Sequence, residues 1–179
     1  MVPVFPRSAP GWLLALSLMV SLAWADHGAL WLDVPFVRQE KNGCGAASVA
    51  MLLRYWSHEN ADPHQIYEAL YSGDAHGIRG ADVERFLREK GFRTFIFQGA
   101  WADIEQHLAK GRPLMVCLNE GRAGPLHYVV VAGIDPARNL VFINDPARRK
   151  LLKVERGDFE KDWSAAERWT LLALPQHAR

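Results

Sequence analysis

The sequence predicts an α+β fold, with N-terminal helices packed on a C-terminal antiparallel sheet. Three observations carry this expectation. The first half of the chain holds most of the segments with helical periodicity. The second half holds short runs rich in Val, Ile, Leu and aromatics, bounded by Gly, Pro, Asn and Asp. Helices first and strands afterwards is the order of an α+β domain, not of alternating βαβ units. The 179 residues are 49% hydrophobic and 23% charged, an ordinary globular composition, and one domain over residues 30–175 accounts for them.

The chain begins differently. Arg7 is the only charge before Asp26, and WLLALSLMVSLAW, residues 12–24, is an apolar run shorter than the ~20 residues needed to span a bilayer. Ala23-Trp24-Ala25 closes it in a small-x-small pattern. Residues 1–25 therefore read as a secretory signal peptide cut after Ala25. The alternative is an uncleaved anchor, associating with a membrane through residues 12–24.

After that, WLDVPFVRQ (31–39) alternates and reads as extended. CGAASVAMLLRYWS (44–57) is apolar nearly all round, the pattern of a buried helix. Pro63 opens a second helix, and Gly73 is expected to close it. GADVERFLREKGF puts Val83, Phe86 and Leu87 on one face, with Gly91 as its stop. RTFIFQG reads as a strand and WADIEQHLAKG as an amphipathic helix. RPLMVCLN, HYVVVAGI, NLVFIND and RWTLLALP read as strands, with GDFEKDWSA as a short helix between the last two.

Formal net charge is +1, so there is no basic excess to hold nucleic acid and no acidic tail. The cluster ARRK (147–150) reads as a solvated surface turn. His58, Glu59, Asp62 and His64 are dense but lack the spacing of a metal site, and read as a polar loop between helices. No phosphate-binding glycine loop or cofactor fingerprint is present, so neither a cofactor nor a metal is expected.

The chemistry concentrates elsewhere. HYVVVAGI and NLVFIND are joined by DPARN, a turn signal. If Ile134 pairs with Leu140, His127 faces Ala147 and Val129 faces Asp145. His127 and Asp145 then share one face as diagonal neighbours, ~7–8 Å apart at Cα and within reach of an imidazole. Cys44 lies at the mouth of the 44–57 helix, where the dipole and unpaired amides stabilise a thiolate. A nucleophile, a base and a group that orients the base are all present. Gln39, five residues before Cys44, can add a side-chain donor beside the Cys44 amide for a developing oxyanion. Gly43 and Gly45 are expected to leave room for substrate backbone. The only other cysteine, Cys117, sits in an apolar strand and reads as a small buried hydrophobe, with a Cys44–Cys117 disulfide as the competing reading.

VPFVRQEKNGCGAASVAMLLRYW, followed by GIRGADVERFLREKGF, GRPLMVCLN and LHYVVVAGID…VFINDP, resembles the peptidase C39 family of papain-like cysteine peptidases, which includes bacteriocin-processing domains. The resemblance covers about residues 33–174. It implies a papain-like fold, Cys44 as nucleophile, His127 as base, Asp145 as orienter and Gln39 in the oxyanion hole. One departure is that many relatives have one residue more between the glutamine and the cysteine. The resemblance also implies that the GIRGAD loop, with Gly77 and Gly80, borders the substrate groove; the residues alone read equally as a plain loop at a helix start. The expected function is hydrolysis of a peptide or protein substrate, and with the signal the expected location is the periplasm, or the inner membrane facing it. Two other functions fit the same residues. One is peptide-acyl transfer in the manner of phytochelatin synthases, which product analysis separates from hydrolysis. The other is a non-catalytic module that binds peptides or leaders, which intact Cys44, His127 and Asp145 argue against.

Overall fold

The structure is a computed structural model and describes residues 28–56, 60–121 and 124–176. The signal reading and the residues His58 and Glu59 lie outside the described residues. Among the described residues no helix is long and apolar enough to cross a membrane.

Residues apolar on every side form the most buried helix, α1 (Cys44–Tyr55), in which Gly45 to Leu53 are all buried. Each large apolar side chain there contributes roughly 1.5–3 kcal/mol by leaving water. Helix α2 (Pro63–Leu70) starts at the proline, and the Asp62 carboxylate accepts from the His64 amide at 3.0 Å as its cap. Its end differs from expectation. A two-strand hairpin, β2 (Tyr71–Ser72) and β3 (Gly77–Ile78), follows directly, so Gly73 serves the hairpin turn and does not stop the helix. Helix α3 (Gly80–Glu89) ends before Gly91, whose φ of +85° only glycine adopts without strain. Helix α4 (Trp101–Ala109) and helix α5 (Arg156–Ala165) complete the set.

The large sheet is antiparallel throughout. Its order is β4 (Phe92–Gln98), β9 (Trp169–Pro175), β5 (Leu114–Leu118), β6 (His127–Asp135), β7 (Leu140–Asn144) and β8 (Leu152–Glu155). A short β1 (Leu30–Trp31) also pairs with β6. Strand β8, which follows the basic cluster, was not expected: four residues with two charges give too short an alternation to stand out. The N-terminal helices α1 to α3 pack on one face, against Met115, Val130 and Leu171. Helices α4 and α5 cover the opposite face, where Ile104, Phe159 and Trp163 meet Val116, Val129 and Val131. The helices thus lie on both sides of the sheet, because β5 and β6 are apolar at consecutive positions and both faces need cover.

One detail of the β6–β7 hairpin decides the site. The strands close with Asp135 opposite Leu140, one step away from the pairing that the turn signal suggests. A bulge between Val131 and Gly133 then takes that step back, so Val131 pairs with Ile143 and Val130 with Asn144. Beyond the bulge the register is the one expected, and His127 and Asp145 emerge on the same face. Gly133 is needed beside this bulge, since a Cβ there would lie 2.5 Å from the Leu30 carbonyl oxygen of β1.

Candidate active site

Cys44 is the first residue of α1, and that helix start carries no side-chain cap and no acidic residue in its first turn. Its amides are therefore free to serve an anion. The turn before it, 40–43, is closed by the Gly43 amide on the Glu40 carbonyl at 3.0 Å, with Asn42 at φ +59°. The α1 axis is fixed on β6, where the Ser48 hydroxyl donates to the Tyr128 carbonyl at 3.2 Å. This delivers the Cys44 sulfur to the start of β6. There it takes hydrogen bonds from the His127 ring and from the amides of Tyr128 and Gly45.

His127 is the first residue of β6, and its Nε2 lies 2.9 Å from Asp145 Oδ1. With Nε2 engaged, Nδ1 is the ring atom left for the sulfur. Asp145 follows β7, and its side chain is 2% exposed against 18% for His127. The carboxylate is thus dry while the imidazole can be reached. The Asp145 carboxylate also accepts from the Ala147 amide at 2.9 Å, so the turn-forming tendency of Asp-Pro and the orienting of His127 use the same oxygen.

The electrostatics follow from this geometry. Burial pushes the Cys44 thiol up, but the His127 hydrogen bond, the Tyr128 amide and the His127 charge outweigh it, and the net acidity is raised. Burial pushes His127 down, and the bonds to Asp145 and Cys44 overcome that, holding the imidazolium up to about 9. Burial likewise opposes ionisation of Asp145, and the His127 bond and charge keep it below the usual carboxylate range. The arrangement favours a thiolate beside an imidazolium, itself held by a carboxylate.

The segment that leads to Cys44 is laced to the loop that carries Asp145. Asn144 donates to the Val34 carbonyl at 3.1 Å, and Lys150 meets Asp33 at 2.5 Å. The Gln39 amide donates to the Pro146 carbonyl at 3.0 Å. Gln39 thereby stands next to the Asp145 turn. Its side-chain oxygen is buried with no hydrogen-bond partner among the described residues.

The sequence matches the family described as the Peptidase_C39 like family over residues 31–170. The chain belongs to that family. No curated protein matches it significantly. Among solved structures it is similar to a double-glycine-motif protease from an AMS/PCAT transporter, crystallised with a leader peptide. That similarity has 24% identity and a TM-score of 0.63, over 83% of this chain and 95% of the other. It is also similar to the peptidase domain of Streptococcus ComA, a bifunctional ABC transporter of a quorum-sensing pathway, at 20% identity and a TM-score of 0.66. That match covers 80% of this chain and 99% of the other. A C39-like protein from Bacillus anthracis matches at 17% identity and a TM-score of 0.66, over 84% and 99%. These likenesses establish the α+β fold of C39 peptidase domains.

Within this C39-family domain the four glycines singled out in the sequence fall into two groups. Gly43 and Gly45 do not hold open space. A Cβ on Gly43 would meet the Glu40 carbonyl oxygen at 3.1 Å, and one on Gly45 would meet Ile78 at 3.1 Å and Tyr128 at 3.4 Å. The room is filled by the chain itself, and these glycines serve its own close packing. Gly80 is similar, because a Cβ there would lie 2.7 Å from the Trp169 ring. Gly77 is different: only the Ala75 carbonyl is near, at 3.8 Å, and its neighbour Ile78 rests on Gly45 beside the nucleophile. The β2–β3 hairpin therefore forms one wall next to Cys44.

Cys117 does not bond to Cys44. Both cysteines are free, and Cys117 is buried in β5, where burial first and the nearby Cys44 second push its thiol up to about 12. The polar loop read at Asp62 and His64 is explained by the Asp62 cap, with His64 between Glu40 at 3.5 Å and Glu68 at 3.4 Å. Three neighbours of the candidate site were missed from sequence: the Tyr128 amide, Glu120 and Arg148. Backbone donors leave no trace in residue identity. Arg148 left only a weak one, as a cation three residues after Asp145 in a cluster that reads as solvated. On the far side of His127 lies a cleft of about 220 Å³ lined by Pro125, Leu126, Ala147, Arg148 and Glu120.

Proposed function

We propose that this chain is an exported cysteine peptidase that cleaves a peptide or protein through Cys44, His127 and Asp145. The observation that carries the reading is the His127 ring, which bridges a buried carboxylate on one nitrogen and the helix-mouth sulfur on the other. The leader peptide held by the similar double-glycine-motif protease supports a peptide as the ligand. Residues 1–25 are the export signal in this proposal and the periplasm is the destination.

The thiolate forms a bond to the scissile carbonyl carbon, and the carbonyl oxygen becomes an oxyanion facing the Cys44 amide and the Gln39 carboxamide. The His127 imidazolium gives its proton to the leaving nitrogen as the C–N bond breaks, which leaves a thioester on Cys44. Neutral His127 then takes a proton from water, hydroxide adds to the thioester, and the thiolate departs.

Acylation needs the thiolate and the imidazolium together. kcat/KM should therefore fall on the acid side as Cys44 takes a proton, below the ordinary thiol range. On the basic side it should fall as pH rises through about 9 and His127 loses its proton. A profile still rising above pH 9 would mean that the imidazolium is not required.

Gln39→Ala should slow the chemical step by on the order of 10²–10³ with little change in KM, because an oxyanion donor acts when charge develops on oxygen. Alkylation of Cys44 should stay fast in that variant. An unchanged kcat would move the second donor to a backbone amide of the 40–43 turn.

The deciding experiment compares the exported proteome of cells with intact Cys44 and with Cys44→Ser and maps new protein termini. Termini that depend on Cys44 support the peptidase. Ligated products without hydrolysis, seen by mass spectrometry with the purified protein, would replace it by acyl transfer.

A further inference from the structure

Asp145 heads a tight turn in which its own carbonyl accepts from the Arg148 amide at 3.0 Å. The turn brings the Arg148 side chain back over the Asp145 carboxylate. Oδ1 is already occupied, by His127 Nε2 and the Ala147 amide, each at 2.9 Å. Oδ2 faces the Arg148 Nε at 3.4 Å. The far end of the guanidinium, Nη2, lies 3.0 Å from both carboxylate oxygens of Glu120, just after β5. The Arg148 carbonyl is itself held by the Arg38 guanidinium at 3.3 Å. Charges therefore alternate along one line: Cys44, His127, Asp145, Arg148, Glu120.

We propose that Arg148, anchored by Glu120, is a positioning residue that fixes the plane of the Asp145 carboxylate and through it the thiolate–imidazolium pair. The proposal rests on Cys44, His127 and Asp145 being the reactive line. The physical reason is that the last torsion of an aspartate is broad, so a carboxylate held by one oxygen alone can swing. A cation on Oδ2 removes that freedom. A guanidinium does so better than an ammonium, because its planar fork spans two carboxylates at once.

The sign of the effect separates positioning from a simple field. Arg148 is nearer the imidazolium end of the pair than the thiolate end. As a bare positive charge it would disfavour the pair, and its removal would make Cys44 more acidic. As a positioning group its removal makes Cys44 less acidic, because His127 loses a well-aimed partner. The bare field is weak, since the Arg148 side chain is 54% exposed and Glu120 offsets its charge. The other groups facing the pair are Cys117 and Tyr128, both pushed up by burial and so neutral, and Arg38, which touches only the Arg148 carbonyl.

The test measures the rate of Cys44 alkylation by iodoacetamide against pH in the full chain, together with peptide hydrolysis. Arg148→Ala should move the alkylation midpoint upward by about one pH unit, a tenfold loss of thiolate on the acid side. It should lower kcat by on the order of tenfold. In an Asp145→Asn background the same substitution should change either quantity by less than about twofold, since it acts through Asp145. A midpoint that stays or moves down in folded Arg148→Ala overturns the proposal, and so does an equal effect in the Asp145→Asn background. Should Arg148→Ala fail to fold, Glu120→Gln keeps the shape and frees the guanidinium. It is expected to move the midpoint upward by a smaller step, and an unmoved midpoint there also overturns the proposal. The alkylation readout needs no substrate. A midpoint that responds to Arg148 in a protein that hydrolyses no peptide would reject the peptidase and leave this inference standing.

Discussion

Cys44→Ser should abolish turnover while the fold stays intact. The expected loss is on the order of 10⁶, the size seen when one member of a nucleophile–base pair is removed. A serine hydroxyl at the α1 start keeps the shape of the thiol and disturbs no core contact. It lacks the acidity that lets the sulfur ionise beside His127. Cys117→Ser is the matched control. It puts a hydroxyl into a buried strand position and should cost about 1–3 kcal/mol of stability, with activity per folded molecule retained. Unfolding curves and rates measured on both variants decide the matter. Equal loss of activity in both at full folding would contradict the assignment of roles.

His127→Ala should be as damaging, by on the order of 10⁶ in kcat, and it should silence the thiol as well. Burial is the largest influence on Cys44 and it opposes ionisation; the His127 bond and charge are what overcome it, with help from two amides. Without the ring, burial prevails and the thiol midpoint rises. Iodoacetamide should then react slowly near neutral pH, where the intact protein reacts fast. This outcome differs in kind from that of Gln39→Ala, which should slow chemistry and leave alkylation fast. An alanine variant whose thiol titrates as in the intact protein would show that the helix start and the amides of Tyr128 and Gly45 suffice, and that His127 does not share a charge pair with Cys44.

Both predictions depend on a geometry that is legible in the sequence only in part. The even spacing of His127 and Asp145 across a hairpin put them on one face by simple alternation. That expectation assumed a regular ladder, and the ladder is not regular. The loop is one residue shorter than the turn signal suggests, and the bulge near Gly133 compensates. The face is right because two departures cancel. The glycine beside the bulge is explained only by the close approach of β1, a strand roughly a hundred positions away in the chain.

What the sequence determined by itself was everything set by local periodicity and by residue chemistry. That includes the all-round apolar α1, the proline start of α2, the strands β5, β6, β7 and β9, and the choice of Gln39, Cys44, His127 and Asp145 as candidates for the site. These signals survive folding because they lie within one turn or one alternation of the residue concerned. Tertiary structure alone decided what lies between elements. It put α4 and α5 on the second face of the sheet, filled the space over Gly43 and Gly45 with the chain's own atoms, and turned the Tyr128 amide toward the sulfur. It also brought Glu120 to Arg148 across 28 positions of sequence, and set the guanidinium of a solvated-looking basic cluster beside the Asp145 carboxylate. The physical reason is that a contact between distant segments is fixed by how their faces pack, and a single residue type carries no record of which face it will meet.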